Sequence, residues 1–313
     1  MKAPFTLKNQ KFIFLFISVL FSASLMAKPY AYITNQLDNS ISVVDTLTKT
    51  VIKTITVTGK PVGVAVNNKR SQVYISTPNG GGFAVLDIST QRKIRTIKVG
   101  GASLGIAVDS NGERVFVADW YENTVSVFDT KKFELIKVIQ VGKSPSGMMV
   151  SEDNQWLYVA NRVDDSISQI DLTSLKVRKT TKVGQHPFGL SVSQSGMRIY
   201  TANVESDDVS IVDASDLKNI ATIKVGARPY ATTLALKDSL LFVTNQDDST
   251  VSVIDTATEK VISVIEVGEK PEGISTHPDD QHVYVANWFD NNVSVIDAKT
   301  LKVVDTIETG EGC

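Results

Sequence analysis

The chain is poor in the residues that announce chemistry. Of its 313 residues one is cysteine, Cys313, the last; three are histidine, His186, His277 and His282. A single cysteine excludes an internal disulfide framework, so an exported form of this chain is held by packing. No Cys-x-x-Cys-His and no Gly-x-Ser-x-Gly elbow occurs, which removes covalent haem attachment and the commonest hydrolase nucleophile turn. Neither sign of charge dominates. Lysines and arginines number 32 against 34 acids, so the surface as a whole is not built for nucleic acid or anionic lipid. Sustained helical periodicity of apolar residues is absent too.

Only one stretch is strongly apolar, and it lies at the start. Lys2, Lys8 and Lys11 precede an apolar run from Phe12, which gives way to Ser22, Ala23 and Ser24 and then Leu25-Met26-Ala27. This is the order of a secretory signal peptide, and the run falls short of the roughly 20 residues a spanning helix needs. Residues 1–27 are therefore read as a signal peptide cleaved after Ala27, with Ser24 as the alternative, and 28–313 as one periplasmic or secreted domain.

What the sequence has is a repeat. Asp45, Asp87, Asp129, Asp171, Asp213, Asp255 and Asp297 follow one another at 42-residue intervals, as do the aromatics Tyr32, Tyr74, Phe116, Tyr158, Tyr200, Phe242 and Tyr284. An apolar pair precedes each aspartate, from Val43-Val44 to Val295-Ile296, with Gln169-Ile170 the one departure. Residues 145 to 184 read as four short strands, 147–150, 156–161, 166–171 and 177–183, rich in β-branched residues and bounded by turn formers. Four strands in 42 residues is a propeller blade, which predicts an all-β, seven-bladed β-propeller. An outer-membrane barrel is excluded, because its strands need about 9–11 residues each.

The repeat explains its own signals. Apolar pairs and aromatics fill the space between blades. The aspartates bond to the turns that follow them. Gly59, Gly100, Gly142, Gly184, Gly226, Gly268 and Gly310 suit a corner that needs positive φ or close backbone approach. In frame, the slot of the innermost strand, 62–69, has no counterpart after Cys313. The closing blade is thus expected to lack its innermost strand, whether it stays three-stranded, gains a strand from elsewhere, or reflects a truncated reading frame.

The segments Tyr32-Ile33-Thr34-Asn35, Phe242-Val243-Thr244-Asn245, Tyr158-Val159-Ala160-Asn161 and Tyr284-Val285-Ala286-Asn287 resemble the signature of the YVTN-repeat β-propellers. Residues 39–46 (Asn-Ser-Ile-Ser-Val-Val-Asp-Thr) and the Val-Gly-x-x-Pro-x-Gly of 183–189 match the rest of that repeat. The resemblance spans the chain after residue 27 and implies a seven-bladed propeller of exported type. At greater distance the chain is similar to lactonase-type propellers and quinoprotein amine dehydrogenase subunits; a shared fold does not assign an activity. Two blades depart from the pattern: Thr77 and Asp119 replace the asparagine, and Pro78-Asn79-Gly80-Gly81-Gly82 replaces a polar loop.

No catalytic residue, metal ligand or cofactor is predicted. His186 falls at the opposite blade end from His277 and His282, and no clustered His/Cys spacing is evident. Asp38, Glu122, Asp164, Asp248 and Asp290 recur in the turns between second and third strands, where the Asp preference of hairpin turns accounts for them better than a calcium site does. The candidate site gathers residues that break the repeat at the loops entering the innermost strand (Lys60, His186, Phe188, Arg228, Tyr230, Lys270, Glu272) and at the second-to-third-strand turns (Trp120, Tyr121, Arg162, Trp288, Phe289). Trp120, Arg162, His186, Phe188, Arg228, Tyr230 and Trp288 are the ligand-binding candidates, since aromatic faces beside cations stack on and neutralise planar anions. The expected function is a monomeric, non-catalytic binding or scaffold propeller presenting this face to a protein or anionic ligand. The alternatives are a lactonase-like hydrolase or redox-enzyme propeller, and binding of single-stranded nucleic acid.

Overall fold

The computed structural model describes residues 30–313, so the signal-peptide stretch lies outside the described residues. Seven antiparallel sheets follow in chain order among the described residues, six of four strands and one of three, with a single 3-10 turn at Pro78–Gly80. Among the described residues no helix is long and apolar enough to cross a membrane. Blade four runs Pro145–Val150, Trp156–Asn161, Ser166–Asp171 and Lys176–Lys182 from channel to rim. Its innermost strand begins earlier than its apolar run because Pro145 pairs with Asn161 ahead of a bulge. Blade one has, among the described residues, Tyr30–Asn35, Ser40–Asp45 and Thr50–Thr56 and no fourth strand.

The apolar pairs work because a blade is covered on both faces. Successive residues of a strand point to opposite sides, so Val43 joins the core shared with blade two while Val44 joins the core shared with blade seven. Ile211 and Val212 divide in the same way between the two interfaces of blade five. Each such side chain, fully buried, contributes about 1.5–3 kcal/mol of transfer free energy. A bulge between third and outer strands falls at each pair, for example Val43/Val44 and Ile211/Val212. The exception, Gln169, is fully buried and still satisfied. Its amide donates to Tyr158 Oη and Ala214 O, and its carbonyl accepts from Arg178 Nη1 at 3.1 Å.

The repeated aspartates form turns. Asp45 Oδ1 accepts the N–H groups of Leu47 and Thr48, and Asp171 Oδ1 those of Thr173 and Ser174. In blades one and four the repeated asparagine also holds the chain where it crosses between blades. Asn161 Nδ2 donates to Ser166 Oγ and Ser168 Oγ, while its Oδ1 accepts the Gly142 N–H at 3.0 Å. A Cβ on Gly142 would stand 2.6 Å from Asn161 Cγ, which only glycine avoids. Where Thr77 and Asp119 replace the asparagine the crossing has a different conformation: Gly59 and Gly100 adopt φ of +102° and +105°, and Asp119 Oδ1 accepts the Ala102 N–H at 3.3 Å.

Among the described residues, blade one meets blade seven without a shared innermost strand. Gln36 N–H donates to Gly312 O at 2.8 Å and Leu37 N–H to Glu311 O at 3.0 Å. Glu311 N–H donates to Asp38 Oδ2 at 2.7 Å, and Lys49 pairs with Asp305 at the rim.

Candidate ligand-binding site

The crossings into the innermost strands and the turns between second and third strands share one end of the ring. Of the recurrent carboxylates there, Asp164, Asp248 and Asp290 accept the N–H groups of Lys143, Ala227 and Glu269. They anchor the crossing from the preceding blade.

The residues that break the repeat form two groups at this mouth. In the first, the Arg162 guanidinium lies 5.8 Å from the ring centroids of both Trp120 and Phe188, and Phe188 stacks on Tyr230 at 4.2 Å and 33°. Stacking on aromatic faces orients a guanidinium while leaving its edge free to recognise an anion. Among the described residues that edge makes no hydrogen bond; its nearest acid is Glu205 Oε1, 4.0 Å from Nη2. Glu205 also receives Arg228 Nη1 at 3.0 Å and lies 3.9 Å from His186 Nδ1, a buried nitrogen that makes no hydrogen bond.

In the second group, Asp247 pairs with Lys270 at 2.6 Å and lies 3.7 Å from Arg228 Nε. Gln246 Nε2 donates to Glu272 Oε1 at 2.6 Å. Burial pushes the Glu272 carboxyl above its ordinary range and raises the Tyr230 hydroxyl as well. Trp288 packs edge-on against Phe289. Tyr121 is 73% exposed and joins neither group, and Lys60 reaches only Leu37 O at 3.4 Å. Trp120 and Trp288 occupy separate groups, in blades three and seven.

Beneath the mouth lies a cavity of about 260 Å³, bordered by Phe188, Tyr230, Glu272, Trp288 and Cys313 and by glycines of the innermost strands such as Gly63, Gly105 and Gly147. Thr34 and Gln36 border it on the side of blade one, where no described strand is interposed. Sequence reasoning missed Glu205 and Asp247, which pair with the candidate cations, and Gln246, which joins Arg228 to Glu272 through its amide. They sit in polar turns like every other blade's, and only their spacing across blades gives them meaning. Reading the histidines as unclustered also requires correction: His277, Asp279 and His282 converge at the far end of blade seven, because a hairpin turn brings together residues that linear spacing separates.

A family model described as "Lactonase, 7-bladed beta-propeller" matches residues 106–216, and one described as "Cytochrome D1 heme domain" matches residues 27–147. Each spans less than half of the chain. No curated protein matches it. Among solved structures the chain is similar to hydrazine synthase of Kuenenia stuttgartiensis, with a TM-score of 0.80 and 20% identity over 86% of this chain and 92% of that one. A functionally unknown protein of Desulfotomaculum acetoxidans aligns with a TM-score of 0.79 and 12% identity over 90% and 98%. A Lactobacillus plantarum protein aligns with 0.80 and 19% over 91% and 97%. At these identities the likeness establishes the fold, a seven-bladed β-propeller, and no activity.

The channel cavity does not fit a haem, since its volume of about 260 Å³ falls below the roughly 300–1,000 Å³ of small-molecule sites.

Proposed function

We propose that this chain is an exported ligand-binding propeller of the YVTN-repeat kind. Its ligand is a small planar molecule bearing a carboxylate or phosphate. The carrying observation is Arg162, flanked by Trp120 and Phe188, whose guanidinium makes no hydrogen bond among the described residues and has only Glu205, 4.0 Å away, as an ion-pair partner. A planar fork with free donors matches a carboxylate or phosphate bidentately. The stacked Phe188 and Tyr230 offer a flat apolar surface beside it. The basic and acidic groups at the mouth otherwise offset one another, which disfavours a polyanion such as single-stranded nucleic acid. Export rests on the order of residues 1–27.

Tryptophan fluorescence of the protein lacking residues 1–27, titrated with benzoate, naphthoate and phenyl phosphate, tests the reading. Saturable quenching is expected, weakened at least tenfold by Arg162→Gln. Titrations without saturation for all three probes, or saturation indifferent to Arg162→Gln, would overturn it.

Lactone hydrolysis is the second reading, favoured by one observation. Glu205, His186, Arg162 and Arg228 converge within the channel mouth, and three of them lie inside the segment that matches the lactonase model. A carboxylate or imidazole that activates water beside guanidinium groups that stabilise an oxyanion is sufficient chemistry. Turnover of simple γ- and δ-lactones, abolished by Glu205→Gln, supports it; no turnover above buffer rejects it.

A further inference from the structure

We propose a divalent transition-metal site formed by His277, Asp279 and His282 on the hairpin turn between Pro271–Thr276 and His282–Asn287 of blade seven. The three ligating atoms lie within 4.8 Å of one another. Asp279 Oδ2 stands 3.1 Å from His277 Nδ1 and 2.7 Å from His282 Nδ1.

The hydrogen bonds around the rings suit an ion here. His277 Nε2 lies 3.1 Å from Thr46 Oγ1, and its Nδ1 faces Asp279, whose backbone N–H points to it at 3.2 Å. With the protons of both rings on Nε2, the two Nδ1 lone pairs and the Asp279 carboxylate oxygen face one point, where a cation would hold all three. A ring whose other nitrogen is fixed by a hydrogen bond is the arrangement of metal-ligating histidines. The ring of Tyr284 covers His277 at 6.0 Å and 32°.

The repeat supplies an independent comparison. The corresponding three positions hold Asn67, Lys69 and Gln72 in blade two, Ser193, Ser195 and Arg198 in blade five, and Ala235, Lys237 and Leu240 in blade six. In blade three, Asp109 and Arg114 satisfy each other as an ion pair at 2.8 Å. Among the described blades that carry an innermost strand, blade seven alone fills all three positions with metal-ligand side chains.

Two imidazoles and one carboxylate suit Zn²⁺ or Co²⁺ rather than Ca²⁺ or Mg²⁺, with water completing the sphere. Thr46 belongs to blade one, so the ion would brace blade seven against blade one at the seam that lacks a shared innermost strand. Metal binding would then raise the melting temperature of the protein.

Untagged, chelator-treated protein titrated with Zn²⁺ by calorimetry provides the test, with Co²⁺ absorption as a second readout on the unaltered chain. We expect one equivalent bound, visible Co²⁺ bands of low-symmetry coordination, and a higher melting temperature. His282→Ala should weaken binding at least tenfold, and Thr46→Val, which removes a positioning hydroxyl, by about 10–100-fold. No saturable heat up to millimolar Zn²⁺ with no visible Co²⁺ bands overturns the proposal. So does stoichiometric binding that survives His282→Ala.

Discussion

Asn35 Oδ1 accepts the backbone N–H of Gly310 at 3.3 Å, joining residues 275 apart in sequence and the first blade to the last. Its Nδ2 meanwhile donates to Ser40 Oγ and Ser42 Oγ, both at 2.9 Å. Asn161 makes the same set of bonds to Gly142, Ser166 and Ser168 between blades three and four, which are already covalently consecutive.

Asn35→Ala and Asn161→Ala should therefore cost similar equilibrium stability, about 1–3 kcal/mol for buried hydroxyls left without their partner. Their local effects should differ. Asn35→Ala frees the Gly310–Gly312 segment, so hydrogen exchange of its amides should quicken, whereas Asn161→Ala should leave those amides protected. Equal exchange in both variants would mean that the Gln36–Gly312 and Leu37–Glu311 bonds hold the seam without Asn35.

The turn aspartates predict acid sensitivity. Asp87, Asp129, Asp171, Asp213, Asp255 and Asp297 are each held below the ordinary carboxylate range, first by a hydrogen bond from the turn that follows: the Ser215 hydroxyl for Asp213, a backbone N–H for the others. A carboxyl whose folded pKa is depressed adds stability above its unfolded value, near 3.9, and loses it as pH falls toward the folded value. The melting temperature should be flat from pH 7 to 5 and fall steeply below about pH 4. An Asp129→Asn plus Asp297→Asn variant should show a shallower fall. An unchanged slope would place the acid lability elsewhere.

Tyr32 and Tyr74 occupy the same repeat position with opposite hydrogen-bond outcomes. Tyr74 Oη receives Asn67 Nδ2 at 3.0 Å and donates to Gln72 Oε1 at 2.9 Å; Tyr32 Oη is buried with no partner. Burial, then Tyr30 and Asp87, push the Tyr32 hydroxyl up to about 12. Tyr74→Phe should cost about 1 kcal/mol, and Tyr32→Phe should be neutral or stabilising. Urea denaturation of both variants decides it, and a Tyr32→Phe loss equal to that of Tyr74→Phe would show that a partner satisfies Tyr32 Oη in solution.

These contrasts show why the fold was legible in the sequence and the site only in part. The apolar pairs, aromatics and aspartates each do one job seven times, so their period is visible in a single chain. Arg162, Phe188 and Tyr230 stood out because they break that period, and the structure does bring them together. Glu205 and Asp247 did not stand out, since acids are ordinary in hairpin turns and their partners lie one blade away. The His277–Asp279–His282 group stayed hidden for a different reason: its geometry arises from the reversal of a turn, which spacing alone does not encode.

Glu272 gives the last prediction. Its carboxyl borders the channel cavity, accepts one amide bond from Gln246, and is held above the ordinary range by desolvation, with Lys270 and Gln246 opposing that shift. The folded state thus binds this proton more tightly than the unfolded chain does. The stability contributed by the protonated group is complete below the unfolded glutamate pKa and declines as pH rises through the folded value. Glu272→Gln preserves an oxygen for Gln246 to donate to and removes the ionisation. The variant should match the parent in stability at pH 4 and exceed it at pH 8, as measured by chemical denaturation at both values. A variant less stable than the parent at pH 8 would show that ionised Glu272 is stabilised by Lys270 more than it is penalised by burial.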